Sequence, residues 1–346
     1  TFTDTFTRKE WLNDIKKRLV LSRDFLTNKG IILVSIDEFE FAHLKILMDE
    51  VFGENNFLEN FIWIKNSTKN NSKTFSTNHE YIFCYAKNKK ELEDSKIKFR
   101  QVKQGVVPLN EIRDNFLKKD LSKIKNPELE LQKKVRDFLK NTKNISKGLK
   151  QYKFVEEGTY KIYRISDTSA PGGDGKDYDV IHPTTLKSCK KPAGGWRYTK
   201  ETMEELLRDK KIYFGKTERT VPQYKRYLDD VETEVVKSVI ENFDEGKKDL
   251  EAILPEAKFT NPKPVSLIKN FIDIICDKNS IFMDYYAGTG TSGQAVIELN
   301  KEKNFNIEFV LITNNENNIC TDITKKRLEK VLEEHEEQSL HFEEVD

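Results

Sequence analysis

Asp284-Tyr285-Tyr286-Ala287-Gly288-Thr289-Gly290-Thr291-Ser292-Gly293 is the stretch on which the fold turns. It follows the apolar run Ile281–Met283 and precedes a segment that reads as a helix through Leu299. Strand, glycine loop and helix therefore succeed one another. Glycines at such a junction permit a tight turn and let backbone N–H groups approach a ligand at the helix N-terminus. Gly288, Gly290 and Gly293 also satisfy G-x-G-x-x-G, a pattern that occurs in ordinary strand-to-helix turns as well as in dinucleotide sites.

One detail separates the ligand classes. In a dinucleotide fold the strand runs straight into the first glycine. Here Asp284 ends the strand four residues before Gly288, and two aromatic residues follow it. A carboxylate in that place can accept a hydrogen bond from an ammonium group, and the turn accommodates an amino-acid moiety. That suits S-adenosylmethionine, whose methionine end is a zwitterion and which carries no phosphate. An NAD-binding oxidoreductase is the alternative, and it rests on the three glycines alone.

Working outward, residues 256–346 keep α/β order. Val265–Cys276 reads as a helix, Phe309–Thr313 as a strand, Lys325–Leu332 as a helix and Leu340–Val345 as a last short strand. Residues 1–90 have the same character. Trp11, Ile15, Leu19, Phe25 and Leu26 recur at helical spacing until Gly30 stops them. Ile31–Ile36 is apolar on both faces, as a parallel strand between helix layers is. Phe41, Leu44, Leu47, Met48 and Val51 form the next helical stripe, and Phe57–Lys65 and Glu80–Ala86 read as strands. Between these halves the pattern loosens. Charged helices fall within 111–150, glycine turns at Gly172–Gly175 and Gly194–Gly195, a helix at 200–210 and a strand at Ile212–Phe214. The expected division is 1–90, 91–255 and 256–346, the middle segment being an insertion.

The chain has 346 residues, with 59 Lys and Arg against 58 Asp and Glu, a formal net charge of +1. With 37% hydrophobic and 34% charged residues it is globular but polar. Read whole, +1 argues against a polyanionic partner. Divided, it does not: residues 1–60 carry −3, 61–230 carry +15 and 231–346 carry −11. A basic middle between acidic ends points to a polyanion, although a solvated Lys-rich helical surface gives the same count. No run of about eighteen apolar residues occurs, so no membrane span is expected. Cys84, Cys189, Cys276 and Cys320 lack C-x-x-C spacing and the five histidines lack ligand spacing, so neither zinc nor a disulfide framework is expected. A reducing cytoplasm fits.

Together these residues resemble the amino-methylating DNA methyltransferases. The glycine stretch is similar to their motif I, usually Asp-Pro-Phe-Ala-Gly-Ser-Gly-Thr-Thr-Gly. Phe259-Thr260-Asn261-Pro262-Lys263-Pro264 resembles the Lys-Pro segment that opens a helix and lines the methionine pocket. Phe309–Ile319 resembles the second strand and its loop, where an acidic residue often binds the ribose; this chain offers Thr313, Asn314 and Asn315 there, with Glu316 just beyond. Trp11–Leu19, Gly30–Glu38, Met48–Gly53, Phe61–Lys65 and Asn78–Tyr81 resemble the modification subunits of type III restriction systems. So do Ala170–Gly173, His182-Pro183, Gly195-Trp196 and Tyr213–Gly215, all in the family's order; residues 91–150 match least.

The resemblance implies an α/β fold: a Rossmann-like S-adenosylmethionine-dependent methyltransferase sheet in circularly permuted (β) order, with residues 91–255 as an inserted target-recognition region. It implies cofactor contacts at Asp284, Tyr285, Ala287, Gly288, Thr289, Gly290, Thr291, Asn261, Lys263, Pro264, Asn315 and Asp37. It implies methylation of the 6-amino group of adenine, with double-stranded DNA, a restriction (helicase/nuclease) subunit and a second copy of the chain as partners. Asp37 and Glu38 either face the cleft at a strand's end or simply cap the helix near Phe39. His79 reads as a hydrogen-bonded structural residue rather than one near the base; Trp196, Tyr213 and Phe214 read as core. The family's catalytic Asp-Pro-Pro-Tyr occurs nowhere in the sequence, which begins with Thr. The catalytic residues are thus unknown, and the motif is expected in a preceding segment. Without it the chain is a non-catalytic DNA- and cofactor-binding subunit or remnant.

Overall fold

The computed structural model describes residues 7–65, 75–95, 99–103, 105–142, 145–241, 243, 245–335 and 340–343. α1 (Arg8–Phe25) begins at a reciprocal cap: the Thr7 hydroxyl accepts from Glu10 N–H, and the Glu10 carboxylate accepts from Thr7 N–H at 2.8 Å. It ends before Gly30, with Leu26 as its cap. β1 (Ile31–Ile36), α2 (Phe41–Phe52), β2 (Phe57–Ile64), β3 (His79–Ala86) and α3 (Lys89–Asp94) follow. β3 lies between β1 and β2 and is antiparallel to both.

β1 is therefore not the parallel strand that its two apolar faces suggest. Those faces are nevertheless both covered. Ile32, Val34 and Ile36 pack with Leu19 of α1 and Leu44 and Met48 of α2. Ile31 and Leu33 join Phe61 and Trp63 in a second cluster. A continuous apolar run encodes burial on two sides; it carries no information about strand direction.

Arg100–Glu234 is a separate compact unit. It contains β4 (Arg100–Val102), α4 (Val106–Leu117), α5 (Pro127–Asn141), β5 (Phe154–Val155), β6 (Ile162–Ser166), α6 (Lys200–Arg208), β7 (Ile212–Tyr213) and β8 (Gln223–Tyr227). β9 (Thr233–Val235) at its border pairs with β4. Four strands form a sheet in the order β5-β6-β8-β7. Leu109, Phe116, Leu131 and Val135 make one core. Trp196, fully buried with Nε1 donating to Tyr178 O at 2.9 Å, makes another with Met203, Ile212 and Phe214. Gly175 and Gly195 mark a backbone crossing, where a Cβ on Gly175 would lie 2.3 Å from Gly194 O. The unit is shorter at both ends than the 91–255 insertion expected from the loosened pattern.

Residues 235–255 pack with the first unit. β10 (Val239–Ile240) extends its sheet by running parallel to β2, giving the order β1-β3-β2-β10. Then come α7 (Gly246–Ile253), α8 (Val265–Ile275), β11 (Ile281–Asp284), α9 (Thr291–Lys303), β12 (Glu308–Leu311), a π-turn at Ile319–Thr324 and α10 (Lys325–His335). β11 and β12 are parallel, with Asp284 opposite Leu311. Phe282 and Phe309 pack against Ala295, Val296 and Leu299, while Ile281, Met283, Val310 and Ile312 are exposed. Residues 340–343 form no strand; the remainder of the expected Leu340–Val345 strand lies outside the described residues. Among the described residues no helix is long and apolar enough to cross a membrane, and no three His, Cys, Asp or Glu are grouped to hold a metal.

Candidate functional site

Asp284 ends β11 and organises the loop that follows. Its Oδ1 accepts from Tyr286 N–H at 2.9 Å and its Oδ2 from the Ser292 hydroxyl at 2.6 Å, so one carboxylate spans the loop from its first turn to the start of α9. Ile312 N–H donates to Asp284 O (2.8 Å) and Ala287 N–H to Ile312 O (3.2 Å), tying the loop to the end of β12. The three glycines differ in what they face. Gly288, at φ +49°, has only Tyr286 O within 4 Å of a would-be Cβ, at 3.8 Å, and so borders open space. Gly290, at φ +76°, lies over Thr324 and Leu328; a Cβ on Gly293 would be 2.7 Å from Leu328 and 2.8 Å from Leu311. Gly288 thus leaves room for a ligand to approach the backbone, while Gly290 and Gly293 allow close packing beneath. Ahead of them, Tyr285 and Tyr286 bind the loop to α1. Arg18 stands 5.0 Å from the Tyr286 ring centroid, and Tyr285 is hydrogen-bonded to Ser22.

Beneath the loop lies Arg327, fully buried. Its Nε donates to Gln294 Oε1 (2.7 Å), and its Nη1 donates to Thr289 O (3.2 Å), Thr289 Oγ1 (3.2 Å) and Thr291 Oγ1 (3.0 Å). Burial pushes its guanidinium down to about 10, against the pull of Asp249 and Glu298. It remains charged at neutral pH. Thr324 donates to Gly288 O from the same side. Thr289 and Thr291, expected to touch a ligand, are themselves buried and turned toward Arg327.

A second group surrounds Lys263. Pro264 precedes α8, whose first residue, Val265, donates its N–H to Asp249 Oδ2 at 2.8 Å. Gly246 fits against this segment; a Cβ there would be 2.2 Å from Pro262 O. The Lys263 ammonium pairs with Glu80 and lies 4.9 Å from the Trp63 ring centroid, and Lys65 holds the other Glu80 oxygen at 3.0 Å. Burial raises the Glu80 carboxyl, but the two ammonium groups outweigh it and leave it below the usual value. A depressed carboxyl adds stability above its unfolded pKa of about 4.3 and loses it as pH falls through the folded value. Glu80→Gln is therefore expected to cost about 1–2 kcal/mol at pH 7 and progressively less below pH 4. Denaturant titrations at the two pH values check this. An equal loss at both would mean that the pair contributes packing only.

The other expected residues are placed more simply. Asn261 is exposed. Asn315 Oδ1 accepts from Cys320 N–H (3.1 Å) and Thr321 N–H (3.2 Å), and so caps the π-turn. Asp37 is exposed at the end of β1, with Oδ1 accepting from Phe39 N–H at 3.1 Å in the turn before α2; it does not cap that helix, which begins at Phe41 after Glu40 with no side-chain cap. His79 is bonded to the Tyr81 hydroxyl at 2.9 Å. The structure thus joins the Asp284–Thr291 loop with Asn315 through β11 and β12, and joins Lys263 with Glu80; Asp37 stands on the other sheet. Sequence reading missed Arg327, Ser292, Thr324, Asp249 and Glu80. Arg327 hides in the basic run Lys325-Lys326-Arg327, yet Thr324, Arg327 and the buried Val331 recur at helical spacing and so share the face that packs inward.

A DNA methylase family of N6/N4 methyltransferases matches residues 1–333. The chain is 32% identical, over 95% of its length, to the Mod subunit of the type III restriction-modification enzyme EcoP15I from Escherichia coli, covering 52% of that protein. It is 29% identical over 89% of its length to the StyLTI Mod subunit of Salmonella typhimurium, covering 41% of it. It is 27% identical over 93% of its length to the EcoPI Mod subunit of Escherichia phage P1, covering 50%. The chain spans about half the length of these relatives.

Proposed function

The chain belongs to the DNA methylase family, and on that premise we propose that it forms the cofactor-binding and DNA-reading parts of an adenine-specific, S-adenosylmethionine-dependent DNA methyltransferase, the modification component of a restriction-modification system. The observation that carries the proposal is the glycine loop: a carboxylate at the end of a parallel strand, followed by a glycine that borders open space. These residues fit the amino-acid end of the cofactor. The Asp284 carboxylate is assigned to its ammonium group, the Gly288 backbone to close approach, and Asn261, Lys263 and Pro264 to the methionine pocket. Asn315, past β12, is assigned to the ribose side. Asp37 is kept as a candidate at the end of β1. When bound, S-adenosylmethionine supplies an electrophilic methyl group on a sulfonium centre.

An aromatic amine is a poor nucleophile because its lone pair is delocalised into the ring. The base has to leave the duplex and be held in line with the methyl group. The family's acceptors for that amine lie in Asp-Pro-Pro-Tyr, which these residues do not contain, so no catalytic residue is assigned among them. Target reading is assigned to Arg100–Glu234, whose 30 Lys and Arg against 21 Asp and Glu favour a polyanion. Double-stranded DNA, a restriction subunit and a second copy of the chain are the proposed partners, in the cytoplasm.

The test is transfer of labelled methyl from S-adenosylmethionine to duplex DNA by the whole protein, with the product hydrolysed to nucleosides. Label in N6-methyladenine is expected. Label confined to cytosine, or to RNA, sinks the assignment. The second reading is a binding subunit without activity, for which no methyl transfer to DNA by the whole protein is the expected result.

A further inference from the structure

Within the compact unit Arg100–Glu234, β6 and β8 are antiparallel with Arg164 directly opposite Arg226. Like charges directly opposed across a ladder destabilise a sheet. The strands nevertheless form one wall of a cleft of ≈ 320 Å³ lined by Gln151, Arg164, Ser166, Asp167, Arg197 and Arg226. Three guanidinium groups face one carboxylate there, and that carboxylate is engaged on its own turn: Asp167 Oδ1 accepts from Ser169 N–H (2.9 Å) and the Ser169 hydroxyl (2.7 Å).

The cationic character extends past the cleft. Burial pushes the Lys103 ammonium below its usual value; Glu234 pulls it back, while Arg226, Arg100 and Arg164 lower it further. Meanwhile Arg164 is held in place. Its Nη1 donates to Gln151 Oε1 at 2.5 Å and its guanidinium lies 5.7 Å from the Tyr152 ring centroid. Two donors in the cleft, Arg164 Nε and the Ser166 hydroxyl, are buried without a hydrogen-bond partner among the described residues. An oriented fork, a hydroxyl and two exposed arginines complement the non-bridging oxygens of a phosphate. Reading a base edge needs one fork against neutral acceptors, and would leave the other cations repelling one another.

We propose that this cleft is a phosphate clamp that grips a phosphodiester of the DNA backbone and so sets the register of the recognition unit on the duplex. The proposal rests on the DNA-binding reading above. Phosphate contacts orient a protein without reporting sequence, and each one adds to the salt dependence of binding.

The experiment measures duplex binding by the full chain across a salt series for the parent, Arg226→Gln and Arg197→Gln, together with phosphate-ethylation interference. Both arginines are exposed, so their loss leaves the cores intact. Each variant is expected to bind about tenfold more weakly on related and unrelated duplexes alike, with the slope of log K against log salt shallower by about 0.9 per contact. One ethylation-sensitive phosphate of the parent pattern should disappear. A variant with the parent's slope and interference pattern overturns the clamp while leaving DNA binding standing. A parent that binds no duplex overturns the DNA reading, and the clamp with it. A third arm titrates inorganic phosphate: binding lost in Arg226→Gln while duplex binding is unchanged makes the cleft a site for a free phosphate instead, which also overturns the proposal.

Discussion

Arg327→Met is expected to lower the melting temperature by about 6–12 °C and to weaken S-adenosylmethionine binding more than tenfold. The side chain is fully buried and supplies four hydrogen bonds, to Thr289 O, Thr289 Oγ1, Thr291 Oγ1 and Gln294 Oε1. Methionine approximates its length but offers no donor. Replacing a buried charge by an apolar residue is often harmless when its partners are replaced too; here they stay behind unpaired. A buried acceptor left without a donor costs about 1–3 kcal/mol. The threonine hydroxyls can turn to new partners, whereas the Thr289 carbonyl and the Gln294 amide cannot easily do so. A net loss of about 3 kcal/mol follows, and each kcal/mol shifts the melting point of a domain this size by about 2–4 °C. Asp249 and Glu298 also lose a neighbouring cation. Arg327→Lys, with charge but no fork, should recover part of the loss. Thermal melts and a calorimetric cofactor titration read both effects. A methionine variant that melts within 2 °C of the parent would show that the loop holds itself.

The order of elements was legible in the sequence because most of it is written in local periods. The stripe Leu44, Leu47, Met48 and Val51 is buried as its spacing requires, and Trp196 is core. Two kinds of fact were not legible. Direction and pairing of a strand come from tertiary neighbours: Ile31–Ile36 announces two covered faces but not that Glu80–Ala86 runs antiparallel beside it. Charged side chains are read as solvated by default. That default holds for most of the lysines and fails at Arg327, at the Glu80–Lys263 pair and at the half-buried Arg164. The candidate site divides in the same way. Its glycines and Asp284 stand together in one short segment, while Thr324 and Arg327 reach the loop from elements that only packing brings near.

Asp284 allows the cofactor assignment to be separated from loop architecture, because its two oxygens already have protein partners. Asp284→Ala removes both contacts along with the charge, and should weaken S-adenosylmethionine binding about 10- to 100-fold, the worth of a charge-assisted hydrogen bond of about 1.5–3 kcal/mol. That loss alone is ambiguous, since a loosened loop also binds poorly. Ser292→Ala breaks only the 2.6 Å tie at the far end of the loop and keeps the carboxylate. Asp284→Asn keeps an oxygen for Tyr286 N–H, and the Ser292 hydroxyl can turn to accept from the new amide. What the asparagine lacks is the negative charge that an ammonium group needs. If the carboxylate binds the methionine end, Asn resembles Ala in affinity, while Ser292→Ala stays within a few-fold of the parent and all three melt near it. If Asp284 is only a brace, the ranking reverses: Asn binds as the parent does, and Ser292→Ala carries the loss. The two chemistries thus predict opposite orders for two substitutions at the ends of one hydrogen-bonded bridge, and calorimetric titration of S-adenosylmethionine into each variant decides between them.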